Sequence, residues 1–457
     1  MSALALILVK KGYSISGSDI CVDQATNELS KAGIKIFSKQ EPKNIDLLFK
    51  IFKKTPTIVI SSAIKNTNNE LQKAKEKNLT ILHRSDILGF LTKQQPSILI
   101  AGSHGKTTTS TIITTLLSLN KQDPTAVIGG IVPLYKSNAR SGKGKYLVAE
   151  ADESDGTLIK LKGEIGVITN LELDHTDFYK SMHDLQKIIK IFSKKCERVI
   201  VNYDSINLRN IFENKTIFYS IKKKKGIDFS AIPIYVSGNG TVAEYYEQGD
   251  LIDVIEIPLL GDHNLSNVIA ALSVCRNAGI PFIDLKNNIK NIVYPKRRFD
   301  YKGIWEGKKI IDDYAHHPTE IKATLNMARL MINNKWQTNN FVKRIIVVFQ
   351  PHRYSRTNDL MKEFSTSFDQ ADSIFILPIY SAGEKPIKGV TSKNLVALIE
   401  EKKPKSVVKF AKDYDTLKML LKVESKKDDL ILFLGAGDIN KLSENLILDK
   451  KIENCAA

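Results

Sequence analysis

Cysteine is scarce in this chain. The four present, Cys21, Cys196, Cys275 and Cys455, are spread over 457 residues, and none forms a C-x-x-C pair. That spacing argues against a disulfide framework or a structural zinc site and points to a reducing compartment. No apolar run reaches the length of a membrane span. The opening residues, Met1 to Val9, are apolar but hold no early lysine, and Lys10-Lys11-Gly12 follows them, the wrong order for a secretory signal. They read as a helix, and a cytoplasmic location is expected. There is no internal repeat of the kind that marks an array. No nucleic-acid-binding module is recognisable either, and the excess of 67 Lys+Arg over 50 Asp+Glu, a net charge of +17, is spread along the chain. Its densest run, Lys222 to Lys225 before Gly226, reads as a solvated turn.

What is present suits a soluble globular protein: 42% hydrophobic and 26% charged residues, at a length that predicts two to four domains. The organising stretch is Ala101-Gly102-Ser103-His104-Gly105-Lys106-Thr107-Thr108-Thr109. The apolar run Ser97 to Ala101 leads into it as a buried strand, and Thr107 to Asn120 follows as a helix. Strand, glycine turn, lysine, hydroxyl and helix together can hold a triphosphate. The backbone N–H groups wrap the phosphate oxygens, Lys106 faces the β- and γ-phosphates, and Thr107 can coordinate Mg²⁺. The full pattern G-x-x-x-x-G-K-[ST] also needs glycine at position 100, where this chain has Ile100. Taken alone, the stretch is also compatible with an ordinary strand–helix turn.

The rest of the chain alternates strands and helices, which predicts α/β domains with parallel sheets. In the first region, strands are expected at Ser14–Asp19, Thr57–Ile64 and Thr80–His83. Helices are expected at Asn68–Lys77 and at Ser85–Thr92, the latter capped by Ser85. Asp19 closes its strand as a ribose-binding acid would. A polar, proline-marked linker follows at Lys93 to Pro96. In the middle region, one strand runs into Glu150-Ala151-Asp152-Glu153-Ser154-Asp155 and another into Asn170-Leu171-Glu172-Leu173-Asp174-His175-Thr176-Asp177. Ligands in open α/β sheets sit at the carboxyl ends of strands, so these ends should converge on the phosphate turn. Four acids in six residues repel unless a cation or solvent relieves them, so Glu150 is a candidate Mg²⁺ ligand, the alternative being a solvated loop. His175 is either a metal or phosphate contact or a loop histidine. Asn264, in Gly261-Asp262-His263-Asn264-Leu265-Ser266-Asn267, either meets a base edge or, like Ser266, caps a helix over Val268–Cys275. A last α/β region begins near Pro295. Its strands end in Asp312-Asp313-Tyr314-Ala315-His316-His317-Pro318-Thr319-Glu320, in Gln350-Pro351-His352-Arg353-Tyr354-Ser355-Arg356-Thr357, and in Gly435-Ala436-Gly437-Asp438. Asn333 to Asn340 reads as an added polar surface loop.

These segments, with Arg297-Arg298-Phe299-Asp300 and Tyr380-Ser381-Ala382-Gly383-Glu384-Lys385-Pro386-Ile387, lie in an order that resembles the Mur ligases, the ATP-dependent amino-acid-adding enzymes of peptidoglycan synthesis. The ordered set spans nearly the whole chain. His316-His317-Pro318-Thr319-Glu320 and the run from Phe349 to Thr357 are most similar to the branch that adds L-alanine to UDP-N-acetylmuramate. The resemblance implies three domains: a Rossmann-like UDP-sugar-binding domain over 1–94, a P-loop ATPase-type α/β domain over 95–296, and a C-terminal Rossmann-like α/β domain over 297–457. It implies ATP and Mg²⁺ as cofactors, UDP-N-acetylmuramate and L-alanine as substrates, an acyl-phosphate intermediate, no nucleic acid partner and a monomer or homodimer in the cytoplasm. Family members carry a glycine-rich strand–turn just before the segment that starts here at Met1. Its first strand and turn are expected to be missing here, through a misplaced start or a truncation.

By resemblance, Gly102, Ser103, His104, Gly105, Lys106, Thr107 and Thr108 hold the ATP phosphates. Thr107, Glu150 and His175 hold the metal. Arg298 reaches the γ-phosphate, His263 and Asn264 lie at the adenine, and Asp313 and Tyr314 add nucleotide contacts. His316, His352, Arg353 and Arg356 form the alanine pocket, while Asp19, Ser61, Ser62 and Arg84 lie where the UDP part binds. Lys106, His175, Arg298 and His316 are the expected catalytic set. Competing readings are a ligase joining recycled murein peptides to the same UDP-sugar, a nucleotide-hydrolysing switch and a non-catalytic nucleotide-binding protein.

Overall fold

The computed structural model describes residues 1–20, 24–52, 54–174, 178–209, 211–212, 216–237, 240–333 and 342–455. His175 and most of the polar loop expected at Asn333 to Asn340 lie outside them. The chain packs as two compact units. The first holds Met1–Leu171, Leu185–Ile217 and Ala270–Pro281; the second holds Glu172–Asp184, Phe218–Ile269 and Phe282–Ala457. No helix among the described residues is long and apolar enough to cross a membrane.

The first unit is built around β1 (Ser97–Ala101), whose five residues are all buried. In chain order β2 (Thr125–Val132), β3 (Ser137–Arg140), β4 (Leu147–Glu150), β5 (Gly163–Ile168) and β6 (Cys196–Asn202) join it, in the spatial order β3-β2-β4-β1-β5-β6. Every pairing is parallel except β2 with β3. A strand covered on both faces needs apolar residues at every position rather than alternate ones, and Ser97-Ile98-Leu99-Ile100-Ala101 reads that way. Ile100 is fully buried, with neighbours Glu150 and Val167 in the two flanking strands. The site of the absent glycine is therefore core strand, and the turn begins only at Gly102.

The first 94 residues form two separate two-stranded parallel pairs, Ser16–Ser18 with Lys35–Phe37 and Ile58–Ile60 with Ile81–His83. The strand expected to continue to Ile64 stops at Ile60, and a turn closed by the Ile64 N–H on the Ser61 carbonyl follows (3.0 Å). The helix Arg84–Gln94 is capped by His83 rather than by Ser85. The His83 ring accepts from the Ser85 N–H at 3.3 Å, and the Asp86 carboxylate accepts from the His83 N–H at 2.8 Å. An imidazole can close a capping box when a carboxylate three residues on reciprocates.

The second unit holds an antiparallel meander, Phe229–Ser237, Gly240–Glu247 and Asp250–Ile257, which alternation toward parallel sheets did not predict. Its larger sheet comprises β7 (Asp300–Trp305), β8 (Lys308–Asp313), β9 (Ile345–Phe349), β10 (Ser373–Ile376), β11 (Val407–Phe410) and β12 (Leu430–Leu434), ordered β7-β8-β12-β9-β10-β11 and parallel apart from the β7–β8 edge. Residues of β9 alternate between two apolar cores. Ile345, Val347 and Phe349 pack on one face of the sheet, Ile346 and Val348 on the other. Phe349 is fully buried against Phe364 and Phe368, with ring centroids 5.5 and 5.4 Å away. Phe349→Ala should cost about 3–5 kcal/mol of unfolding free energy in a denaturant titration; a loss under about 1 kcal/mol would contradict this account of the core.

Candidate active site

Three carboxyl ends of the first sheet meet at one place. After β1 the chain turns at Gly102, whose φ is +128°; a Cβ there would lie 2.3 Å from Thr169 Oγ1 and 2.9 Å from the Asn170 carbonyl. Only glycine fits that approach. The turn ends at Gly105, φ +81°, which starts α1 (Lys106–Leu119). Asn170, at the end of β5, clamps the turn from the side: its Oδ1 accepts the His104 N–H (2.8 Å), its Nδ2 donates to the His104 carbonyl (2.9 Å), and its own carbonyl accepts the Ser103 N–H (3.3 Å). Thr108 is buried in the first turn of α1. The N–H groups of that first turn have no partner within the helix and, together with the helix dipole, favour an anion.

Lys106 donates to the Gly102 carbonyl (2.6 Å) and to both oxygens of Glu153 (2.7 and 3.0 Å). Burial opposes both charges. Around Lys106 the carboxylates of Glu153 and Asp152 outweigh it and raise the ammonium's pKa. Glu153, 2% exposed, is pushed up to about 7 by burial despite Lys106. At the end of β4, Glu150 accepts from the Thr107 hydroxyl (3.2 Å), the Ser110 hydroxyl (3.3 Å) and the Gly129 N–H (2.8 Å). A hydroxyl and a carboxylate side by side at a phosphate turn are the hard oxygen donors that Mg²⁺ prefers. The first-region candidates sit nearby in the same unit. Ser62 donates to Asp155 (2.7 Å), and Arg84 pairs with Asp152 (3.0 Å). Asp19 is exposed at the end of its strand, and Ser61 contributes its carbonyl to the turn already described.

The other candidates belong to the second unit. Asp313, 4% exposed at the end of β8, accepts the N–H groups of Phe299 (2.7 Å) and Ala315 (2.8 Å) and the Thr324 hydroxyl (3.3 Å); burial raises its pKa, against the pull of Arg298. Its carboxylate thereby ties the 297–299 segment to the strand end. Arg297 and Phe299 both take positive φ there, +62° and +48°, an uncommon backbone for such residues. Tyr314 has a guanidinium near its ring on two counts, Arg297 at 5.0 Å and Arg298 at 5.1 Å, and Arg298 also pairs with Glu320 (3.6 Å). α2 (Asp262–Asn277) starts six residues before the expected helix. Neither Asn264 nor Ser266 is therefore its cap: Asn264 lies inside the first turn, 3% exposed, and donates to the Leu260 carbonyl (2.8 Å). His263 beside it is exposed.

His316 Nδ1 lies 2.9 Å from the Tyr314 carbonyl. A carbonyl only accepts, so Nδ1 carries the proton and Nε2 is left with its lone pair. Burial lowers the His316 pKa to about 4, opposed by Glu320 and aided by Arg356. His352 is stacked on Tyr380 (5.4 Å, 10° between planes) and lowered to about 3 by burial and by the nearby His316, Arg356 and Arg353. Arg356, 6% exposed, places Nε and Nη2 on the two oxygens of Asp174 (3.1 and 3.2 Å) and Nη1 toward His352 Nδ1 (3.2 Å). One of the two guanidinium groups expected in the alanine pocket is thus engaged by a carboxylate of the chain itself. Arg353, with φ of +72°, approaches Glu384 at 3.9 Å. The residue reading singled out Glu150 in its acidic run but gave Glu153 no role, and it missed Asn170, Asp174, Glu320 and Tyr380. All of them lie inside the quoted segments, but which side chain meets which depends on tertiary pairing.

Family models cover most of the chain. Residues 1–96 match the Mur ligase family catalytic domain, 100–275 the Mur ligase middle domain, and 297–437 the Mur ligase glutamate ligase domain. The chain belongs to the Mur ligase family. A UDP-N-acetylmuramate–L-alanine ligase of Prochlorococcus marinus is 52% identical over 454 residues, covering 99% of this Mur ligase and 96% of that protein. In fold, the chain is similar to the UDP-N-acetylmuramate–alanine ligase of Thermotoga maritima, with a TM-score of 0.82 at 22% identity over 99% and 97% of the two chains. A MurF ligase from the same organism, solved in complex with ADP, has a TM-score of 0.62 at 19% identity over 88% of this chain and 96% of its own.

Both lowered histidines make the Mur ligase sensitive to acid. Their folded pKa values lie below the unfolded value of about 6.5. The unfolded chain therefore binds more protons, and stability present above pH 6.5 is lost as pH falls toward 4. The thermal midpoint should fall over that range, and by less in the double variant His316→Gln/His352→Gln. An identical fall in both proteins would contradict the burial-driven shifts.

Proposed function

We propose that this Mur ligase uses ATP to join L-alanine to the lactyl carboxylate of UDP-N-acetylmuramate, releasing ADP and phosphate, as a cytoplasmic step of peptidoglycan synthesis. The observation that carries this reading is the meeting of Lys106, Thr107 and Glu150 at a phosphate turn, in a chain 52% identical to such a ligase over nearly its full length. We assign UDP-sugar binding to 1–94, ATP binding to 95–296 and the amino-acid end to 297–457.

A carboxylate is a poor acyl donor because its leaving group would be oxide; phosphorylation supplies a better one. In the proposed sequence, a carboxylate oxygen of the sugar attacks the γ-phosphorus and ADP leaves. The amine of alanine then attacks the acyl carbon and phosphate departs. Two anions must approach for the first step, so cations dominate its catalysis. Lys106 and the N–H groups at the start of α1 hold the phosphates, and Arg298 reaches the γ-phosphoryl oxygens. Thr107 and Glu150 would hold Mg²⁺, which offsets phosphate charge when bound. His263, Asn264 and Tyr314 serve the nucleoside end, with Asp313 fixing the segment that carries Arg298. His175 completes the metal set by resemblance alone. Asp19, Ser61, Ser62 and Arg84 serve the UDP part.

Alanine's carboxylate is assigned to Arg353, because Arg356 is held by Asp174; Arg356 then orients His352 and lines the pocket. His316 is neutral near pH 7 and has Nε2 unprotonated, so it can accept the proton that the attacking amine sheds.

Phosphate release should require UDP-N-acetylmuramate and L-alanine together. Lys106→Ala should lower turnover about 100-fold or more in a protein that still unfolds cooperatively. Retained turnover would refute the role of Lys106, and preference for a murein tripeptide over L-alanine would move the enzyme to the recycling branch. Arg353→Ala should raise KM for alanine at least about tenfold with KM for ATP unchanged; equal shifts in both would remove Arg353 from the alanine pocket.

A further inference from the structure

Glu153 takes no part in the chemistry above, yet both its oxygens lie on the ammonium that the phosphates need. The backbone that carries it is fixed by bonds that do not involve Lys106. The Gly156 N–H donates to the Glu153 carbonyl (2.9 Å), Gly156 takes φ +67°, and the preceding Asp152 is anchored by the Ser154 N–H (3.1 Å) and by Arg84 (3.0 Å). The Gly102 carbonyl receives the same ammonium from the side of the turn (2.6 Å). Lys106 is thus aimed along the turn with a carboxylate where an incoming anion has to make its contact. A buried ammonium with no partner is costly, so an acid that holds it keeps the turn formed before the nucleotide arrives.

We propose that Glu153 is a positioning residue, an internal stand-in for the nucleotide's phosphates that holds Lys106 in the resting site and yields it when the nucleotide binds. This inference rests on the nucleotide reading of Lys106. Its consequence is that nucleotide affinity is held down, because each binding event must break a buried ion pair, and that release is correspondingly easier. A carboxylate serving only the loop's shape would have no such effect.

The test is ADP binding by calorimetry, in the full chain with Mg²⁺ and without the other substrates. Glu153→Gln keeps the size and removes the charge, and should bind ADP about tenfold more tightly than wild type, the scale of one charged hydrogen bond. The gain should vanish in the Lys106→Ala background, where there is no ammonium to compete for. Glu153→Ala should give the same gain and serves if Glu153→Gln unfolds at a markedly lower temperature. Unchanged or weaker ADP affinity in the folded variants would overturn the inference, as would an equal gain with and without Lys106. A wild-type chain that binds no ADP would instead overturn the nucleotide reading, and the inference with it.

Discussion

Strand β1 is closed to water at all five residues and paired in parallel on both edges, and the chemistry of the first unit depends on that placement. Parallel neighbours bring their carboxyl ends to one edge, so the turn after β1, the acids after β4 and Asn170 after β5 have to share a small volume. Burial of Ile100 sets the length of the turn: the strand runs to Ala101, and Gly102 to Gly105 make the whole bend. Gly102 cannot carry a side chain, because Thr169 and Asn170 occupy the space where a Cβ would stand. The tight turn and its side clamp are one packing solution.

A second regularity recurs within each unit. Cations of the proposed sites lie against carboxylates: Lys106 on Glu153, Arg84 on Asp152, Arg298 near Glu320, Arg353 near Glu384 and Arg356 on Asp174. A ligase that binds a nucleotide, a UDP-sugar and an amino acid must gather positive charge, and gathered charge without substrate is unstable where burial removes water. Internal acids relieve that repulsion. Arg298 and Arg353, assigned to the γ-phosphate and to alanine, hold their acids loosely, at 3.6 and 3.9 Å, whereas Arg84 stands 3.0 Å from Asp152 and Arg356, assigned to orientation, meets both oxygens of Asp174.

Much of this was legible in the sequence where one local rule decides the outcome. The apolar run into Gly102, the helix after Lys106 and the strands ending at Glu150, Asp313 and Phe349 follow from periodicity and glycine placement. The meander over 229–257 was missed because strand–helix alternation elsewhere pointed to parallel sheets, and its strands leave Ile234, Tyr235, Leu251, Ile252 and Val254 exposed, so no clean apolar–polar alternation marks them. The start of α2 was misjudged because Asp262 to Asn267 is rich in residues that favour caps, yet Asn264 spends its amide on the Leu260 carbonyl inside the helix. His83 displaced Ser85 as a cap because Asp86 reciprocates. Site membership was readable as motifs, but partnership was not: nothing local says that Glu153 meets Lys106 or that Asp174 closes on Arg356, since those pairs join segments 47 and 182 residues apart.

The central claim is that the phosphate set free has passed through the sugar's carboxylate. The most direct measurement supplies UDP-N-acetylmuramate with both lactyl carboxylate oxygens labelled with ¹⁸O and analyses the phosphate formed with ATP and L-alanine. An acyl phosphate hands one labelled oxygen to each phosphate when the amine displaces it, so singly labelled phosphate matching the amide product is the expected result. Unlabelled phosphate accompanying the amide, or phosphate formed with no amide at all, would contradict the account.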